Sequence, residues 1–301
     1  MPGLGNLWRE SAVESFAASP LRGERMVDLA IIGAGFTGLS AALHAAGQGA
    51  DVAVLEAETV GEGGSGRNVG LVNAGLWLPP DDVCKILGPE AGSLVFDLIA
   101  QHDIACEATR NGTLHLAHAP KAMADLKSRH AQLAARGAPV RLIDMSSTAQ
   151  RTGTDRFYGA LHDARAGTIQ PLAYARGLAR AAQDAGALIC EQTPVAAAEH
   201  RSGQWIGTTP GGKLRARHLL IATNAYHRPV THMTRPDVPI VQYFQLATAP
   251  LGDNLAGDIL AGGEGCWDTG LVMTSLRRDR AGRGILGGMG GDATLHENWA
   301  R

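Results

Sequence analysis

The 301-residue chain is poor in aromatic residues, which make up 5% of it, and it has only four cysteines, Cys84, Cys106, Cys190 and Cys266. The cysteines form neither a CxxC pair nor a cluster with metal-ligand spacing, which argues against a disulfide scaffold, a zinc fold and a metal centre. Buried, reduced thiols in a cytoplasmic protein are the expectation. Lysine and arginine total 27 against 29 for aspartate and glutamate, so no basic surplus draws the chain to nucleic acid. No run approaches the roughly 20 apolar residues that cross a bilayer, so an integral membrane protein is not expected. The first residues are interrupted by Glu10, Glu14 and Glu24 and lack the apolar core of a signal peptide. HExxH, GxSxG and paired-carboxylate motifs are missing too.

Glycine, by contrast, is abundant: 39 residues, roughly 13% against a usual 7% or so. Hydrophobic residues reach 45%, and the length suits one large or two ordinary globular domains. From Asp28 a short apolar run, Leu29 to Ile32, predicts a buried parallel strand ending at Gly33. A helix over about Phe36 to Gln48 follows, with Leu39, Ala42, Leu43 and Ala46 on one stripe, and Asp51 to Leu55 gives a second strand. The three make a βαβ unit. Pro79-Pro80 and Asp81-Asp82 mark a boundary before a helix from Leu94 to His102. Later come a strand near 113–117, a helix from Lys121 to Arg136, a helix opened by Pro171 and ended near Gly186, and the strand Ala187 to Cys190. A hairpin around Pro210-Gly211-Gly212 joins the strands Gln204 to Thr209 and Arg215 to Thr223, and beyond Pro229 the chain is strand-like and glycine-rich.

The turn after the first strand reads Gly33-Ala-Gly35-Phe36-Thr37-Gly38, a GxGxxG, and Glu56 closes the next strand. In this setting Gly33 permits the sharp turn, Gly35 lets the backbone approach a pyrophosphate at the helix N-terminus, and Gly38 lets the helix lie close on the sheet. Glu56 would accept from a ribose diol and repel a 2′-phosphate, which argues against NADP but leaves NAD and FAD open. The same residues could also form a tight turn that binds nothing. Next, Gly61 to Asn73 crowds glycines, Ser65, Arg67 and Asn68 into one loop, suited to an anion or a polar ring edge, or else simply a glycine-rich surface loop.

Taken in order, GAGFTG with its distal glutamate, GGSGRNVG, Thr168-Ile-Gln-Pro-Leu-Ala-Tyr-Ala-Arg176 and Ile221-Ala-Thr-Asn-Ala-Tyr226 resemble the FAD-dependent oxidoreductases of the D-amino acid oxidase and glycine oxidase family. The branch resembled most holds γ-glutamylputrescine oxidoreductase and L-pipecolate oxidase. The resemblance implies an α/β fold: a Rossmann-type FAD-binding domain with a mostly parallel sheet, and an interleaved α+β substrate domain containing a sheet. The expected division is an N-terminal extension over 1–25, the FAD domain over 26–78 and 160–230, and the substrate domain over 79–159 and 231–301.

By the same resemblance, Gly33, Gly35, Phe36, Thr37 and Gly38 would hold the FAD pyrophosphate and Glu56 the adenosine ribose. Ser65, Arg67, Asn68 and Gly70 would lie along the ribityl chain and flavin. Val195 would meet the adenine through its backbone, and Thr223 and Asn224 would lie beside the pyrophosphate. The FAD would be non-covalent, since the glycine loop has no His or Cys. The substrate would be an amino acid or amine, oxidised at its C–N bond by hydride transfer to give an imine that hydrolyses, with oxygen or another acceptor reoxidising the flavin. No acid–base residue is needed, so none is nominated as catalytic. Asn73, Tyr243 and Trp267 are the substrate-contact candidates. His115 and His118 fall in a strand-like run, pointing to opposite faces, and are read as structural. Relatives continue past the point where this chain stops, at Trp299-Ala-Arg301, and the stretch Gly88 to Leu94 is shorter than theirs. A truncated, non-catalytic nucleotide-binding remnant is therefore the alternative.

Overall fold

A computed structural model describes residues 6–75, 79–87, 94–234, 237, 239–252, 255 and 257–290. The chain end at Trp299 to Arg301 and the stretch 88–93 lie outside the described residues. The helices are α1 (Leu7–Ser11), α2 (Phe36–Gly47), α3 (Pro80–Leu87), α4 (Leu94–Gln101), α5 (Ala122–Ala134), α6 (Met145–Thr152) and α7 (Pro171–Asp184). The strands are β1 (Gly23–Ile32), β2 (Val52–Leu55), β3 (Leu71–Val72), β4 (Thr113–Leu116), β5 (Val140–Ile143), β6 (Ala160–Asp163), β7 (Gly167–Thr168), β8 (Leu188–Cys190), β9 (Ala197–Arg201), β10 (Gln204–Thr209), β11 (Gly212–Ile221), β12 (Tyr243–Pro250), β13 (Gly265–Asp268), β14 (Ser275–Arg278) and β15 (Arg283–Met289).

Two compact units divide the chain: unit 1 holds 1–67, 102–106 and 171–240, and unit 2 holds 68–101, 107–170 and 241–301. Unit 1 contains a six-stranded sheet in the order β8-β2-β1-β11-β10-β9. The first four strands run parallel, and β10 and β9 close the sheet antiparallel. This is the mixed α/β arrangement the βαβ pattern calls for. The all-apolar Val52–Leu55 is fully buried, as an inner parallel strand must be. Leu39, Ala42, Leu43 and Ala46 form the buried stripe of α2. The sequence reading starts β1 too late. The strand reaches back to Gly23 because Gly23 to Val27 pair with β11, although Gly23 to Met26 are exposed and show no apolar signal.

The segment before β1 belongs to unit 1 rather than standing apart as an extension. Trp8 and Leu21 are buried. The buried Glu191 carboxylate accepts from the Ala18 N–H at 2.8 Å and from the Val60 N–H at 2.7 Å. Glu14 accepts from the Ala105 N–H at 2.9 Å and from the Arg180 guanidinium at 3.1 Å.

Unit 2 holds a seven-stranded sheet, β12-β15-β14-β13-β4-β6-β5, and the two-stranded β3-β7. Apolar clusters line the two faces of its β4–β6 region, one on Leu114, Leu116 and Cys266, the other on Leu126, Val140 and Leu161. Pro79-Pro80-Asp81-Asp82, read from sequence as a boundary, instead opens α3. A proline in the first turn loses no helical bond, and the two aspartates suit the positive helix end. Among the described residues no helix is long and apolar enough to cross a membrane.

Candidate functional site

In unit 1 the strand ends and the α2 N-terminus converge. Gly33 has φ +106°, and a Cβ there would lie 2.8 Å from the Ala222 carbonyl oxygen. The β1 and β11 ends are joined next to it, with the Ala222 N–H donating to Ile32 at 2.8 Å. A Cβ on Gly38 would run into the Gly33 carbonyl, so the helix lies on the turn as closely as backbone allows. Gly35 is the helix N-cap and supplies no capping side chain. That role falls to Ser65, whose hydroxyl accepts from the Phe36 N–H at 3.0 Å and lies 2.8 Å from where a Gly35 Cβ would be. Thr37 follows in the first helical turn, and the Phe36 ring meets Tyr174 edge-on at 5.3 Å.

Glu56 accepts from the Ala34 N–H at 2.7 Å and from the Glu58 N–H at 3.0 Å, which ties its carboxylate to the glycine turn. The Glu56 carbonyl accepts from the Thr193 N–H at 2.7 Å, so the segment leading to Val195 runs beside it, while Val195 itself is buried in the core. Thr223 pairs through its hydroxyl with His227 Nδ1 at 3.0 Å, and Asn224 begins a 3-10 turn with φ +45°. Arg67 donates through Nε to the Glu62 carbonyl at 2.6 Å and forms an ion pair with the Glu62 carboxylate at 2.5 Å. Glu62 also pairs with Arg9 and accepts from Thr59. Burial pushes the Glu62 carboxyl up, but the bonds from Thr59 and Arg67 and the charges of Arg9 and Arg67 outweigh it and hold the group below its ordinary range.

The remaining predicted residues lie in unit 2. The Asn68 side chain accepts from the Gly70 N–H at 2.8 Å. Asn73 accepts from the Thr113 hydroxyl at 3.1 Å. Trp267 stacks on His115, with ring centroids 3.6 Å apart and planes 9° from parallel. Strand register runs one row across five strands: His115, Trp267, Ser275, Gly287 and Gln245 are successive partners. Because side chains alternate, Thr113 and Tyr243, two residues from His115 and Gln245, share that face. Thus Asn73, Trp267 and Tyr243, chosen separately from sequence, belong to one side of one sheet. His115, read from the sequence as structural, sits in this row, and Gln245 was not singled out; the signal for Gln245 was its two-residue spacing from Tyr243. His118 lies past the end of β4 and bonds to Thr269 at 2.7 Å.

A family model described as FAD dependent oxidoreductase (DAO) matches residues 28–301. The chain belongs to this family. It is 31% identical over 298 residues to "Probable oxidoreductase OrdL" of Rhizobium meliloti (strain 1021), covering 94% of this chain and 69% of that protein. It is 33% identical over 216 residues to the γ-glutamylputrescine oxidoreductase of Escherichia coli (strain K12), covering 66% of this chain and 49% of that one. The crystal structure of glycine oxidase from Geobacillus kaustophilus has the same fold, with a TM-score of 0.68, 19% identity, and coverage of 89% of this chain and 73% of that one.

Members of this DAO family carry FAD, and the residues of unit 1 fit it. The glycines are sites where an added Cβ would meet backbone or the Ser65 hydroxyl. The α2 N-terminus is positive and lacks a capping side chain from its own N-cap residue, and a carboxylate stands at the end of the second strand.

Proposed function

We propose that this flavoenzyme oxidises the C–N bond of an amino acid or a small amine. FAD supplies the two-electron acceptor that takes up the hydride. The C–H bond next to nitrogen breaks and its electron pair leaves with the hydrogen. The nitrogen lone pair then forms the C=N bond, and loss of one proton from nitrogen gives a neutral imine. Water adds to the imine carbon and expels the nitrogen, as ammonia from a primary amine or as an amine where the nitrogen carries a second carbon, leaving a carbonyl product.

The observation that carries this reading is the chemistry of the unit 2 face. Along the row its polar groups are an imidazole, an indole, a hydroxyl and a carboxamide, and Thr113, Tyr243 and Asn73 add two hydroxyls and a second carboxamide. Of the charged groups that register puts on the same face, the Asp163 carboxylate opposite Thr113 is paired with Arg165 at 2.6 Å and the Arg277 guanidinium is bound to backbone carbonyls. Burial, reinforced by the Arg129 charge, pushes the His115 pKa down to about 3, so its ring is neutral near pH 7. Such a face neither protonates an amine nor traps it as an ion pair, and only the neutral amine has the lone pair that expels hydride. Asn73, Trp267 and Tyr243 orient the substrate. Unit 1 binds the adenosine diphosphate part of the cofactor through Gly33, Gly35, Phe36, Thr37, Gly38 and Glu56, with Val195, Thr223 and Asn224 alongside. Ser65, Arg67, Asn68 and Gly70 serve its flavin part. The relationship to γ-glutamylputrescine oxidoreductase supports the amine class.

Anaerobic titration of the FAD-loaded chain with glycine, D- and L-amino acids, pipecolate and polyamine derivatives tests this. Bleaching of the flavin band by one of them, with release of a carbonyl compound, is the expected result. A bound flavin that none of them bleaches overturns the amine reading.

A further inference from the structure

Arg277 is 1% exposed, the largest of the fully buried side chains among the described residues. Its Nη1 donates to the Ile169 carbonyl and, at 3.4 Å, to the Gly70 carbonyl. The Gly70 carbonyl also accepts from the Ile169 N–H at 2.8 Å, while the Gly70 N–H is held by Asn68. Gly70 has φ +81°, and a Cβ there would lie 2.6 Å from Arg277 Nη1 and collide with the Ile169 carbonyl. Both ends of the Gly70 residue are therefore fixed. The next two residues, Leu71 and Val72, pair with Thr168 and Gly167, and Asn73 after them reaches Thr113. Burying a permanent cation is costly, and here the cation sits under the one turn that carries Asn68 and leads to Asn73.

We propose that Arg277 is a positioning residue for the flavin. Its guanidinium holds the Gly70 peptide, and through it Asn68 and Asn73, in the conformation that receives the ring. This rests on the assignment of Asn68 and Gly70 to the flavin part of FAD, not on the identity of the substrate. The rigid guanidinium plane holds both carbonyls through Nη1 while its Nε donates to the Arg278 carbonyl at 3.3 Å, whereas a lysine ammonium is a point donor on a flexible stem and has no second nitrogen to fix the plane. The conservative change thus separates geometry from charge.

The test uses the full chain and the variants Arg277→Lys and Arg277→Met, with FAD affinity from flavin fluorescence, the visible circular dichroism of the bound flavin, its reduction potential, and the thermal midpoint of the FAD-free protein. The expected result is at least a tenfold rise in the FAD dissociation constant and an altered flavin dichroism in Arg277→Lys. Arg277→Met, which also loses the positive charge, should lower the potential as well. Affinity and dichroism equal to the parent's in both variants, whether or not the thermal midpoint falls, overturn the proposal and leave Arg277 a purely structural clamp. If neither variant folds, hydrogen exchange of the parent with and without FAD decides: FAD must slow exchange over 70–73, and equal exchange overturns the proposal. A parent chain that binds no FAD overturns it too. A flavin that binds but is bleached by no amine removes only the amine reading.

Discussion

His115 lies flat against Trp267, its direct partner on the neighbouring strand, with the two rings 3.6 Å apart at their centres. A stack this close suits a neutral imidazole that is also out of water. The folded-state pKa of about 3 lies below the ordinary imidazole value of 6.5, so the unfolded chain binds the proton more tightly. The stability this residue contributes is complete above pH 6.5 and is lost as pH falls through the window from 6.5 to about 3. Replacing His115 with Phe, which keeps a ring on Trp267, should flatten the decline of the urea midpoint across that window. An unchanged acid limb would sink the assignment.

The Gly35→Ala change should weaken FAD binding at least tenfold while leaving a folded protein. The new methyl displaces the Ser65 hydroxyl, a side chain that can rotate, from the helix N-terminus. Gly47, near the other end of the same helix, has open space around its Cβ position. Alanine there should stabilise the protein by about 0.5–1 kcal/mol. Fluorescence titration with FAD and urea unfolding of both variants check the pair.

Glu56→Gln replaces an acceptor-only carboxylate, already holding two backbone N–H groups, with an amide that turns one donor toward a donor. A loss of about 1–3 kcal/mol is expected in FAD binding, with a lower melting temperature. Wild-type affinity in this variant would rule out Glu56 as a cofactor ligand.

The centre of the unit 2 face offers a sharper contrast. A Cβ on Gly287 would lie 2.5 Å from the Ser275 hydroxyl and 2.8 Å from the Gln245 carboxamide, whose buried Oε1 has no hydrogen-bond partner among the described residues. On the same strand, a Cβ on Gly284 would meet, among the described residues, only Thr248, at 3.7 Å. If substrate rests on this face, Gly287→Ala lowers kcat/KM about tenfold, equivalent to about 1.4 kcal/mol, and Gly284→Ala does not. Equal kinetics in the two variants would place the substrate elsewhere.

Unit 1 was largely legible in the sequence because its signals are local. A four-residue apolar strand, a glycine turn and a helical stripe sit within thirty residues of one another, and each needs only its own neighbours to be recognised. Glu56 was legible for the same reason. Arg277 was not, because its partners are the carbonyls of Gly70 and Ile169, and backbone atoms carry no sequence signature. Nor was the row from His115 to Gln245, since it depends on which strands lie side by side. A parallel β4–β13 pairing between residues 113–116 and 265–268 leaves no trace in either stretch alone. Glu14 and Glu191 were legible only as charges, and the backbone N–H groups that hold them come from distant segments.

The buried Glu191 also bears on where this chain can be shortened. Starting it at Gly23, the first residue of the sheet, would strip one of the two N–H groups from an interior carboxylate, remove Trp8 and Leu21 from their packing, and free Arg180 from Glu14. Residues 6–22, ahead of β1, thus act as a strap buckled onto the C-terminal end of β8, beside Glu56. A protease that nicks them should melt unit 1 well before any cut reaches the glycines.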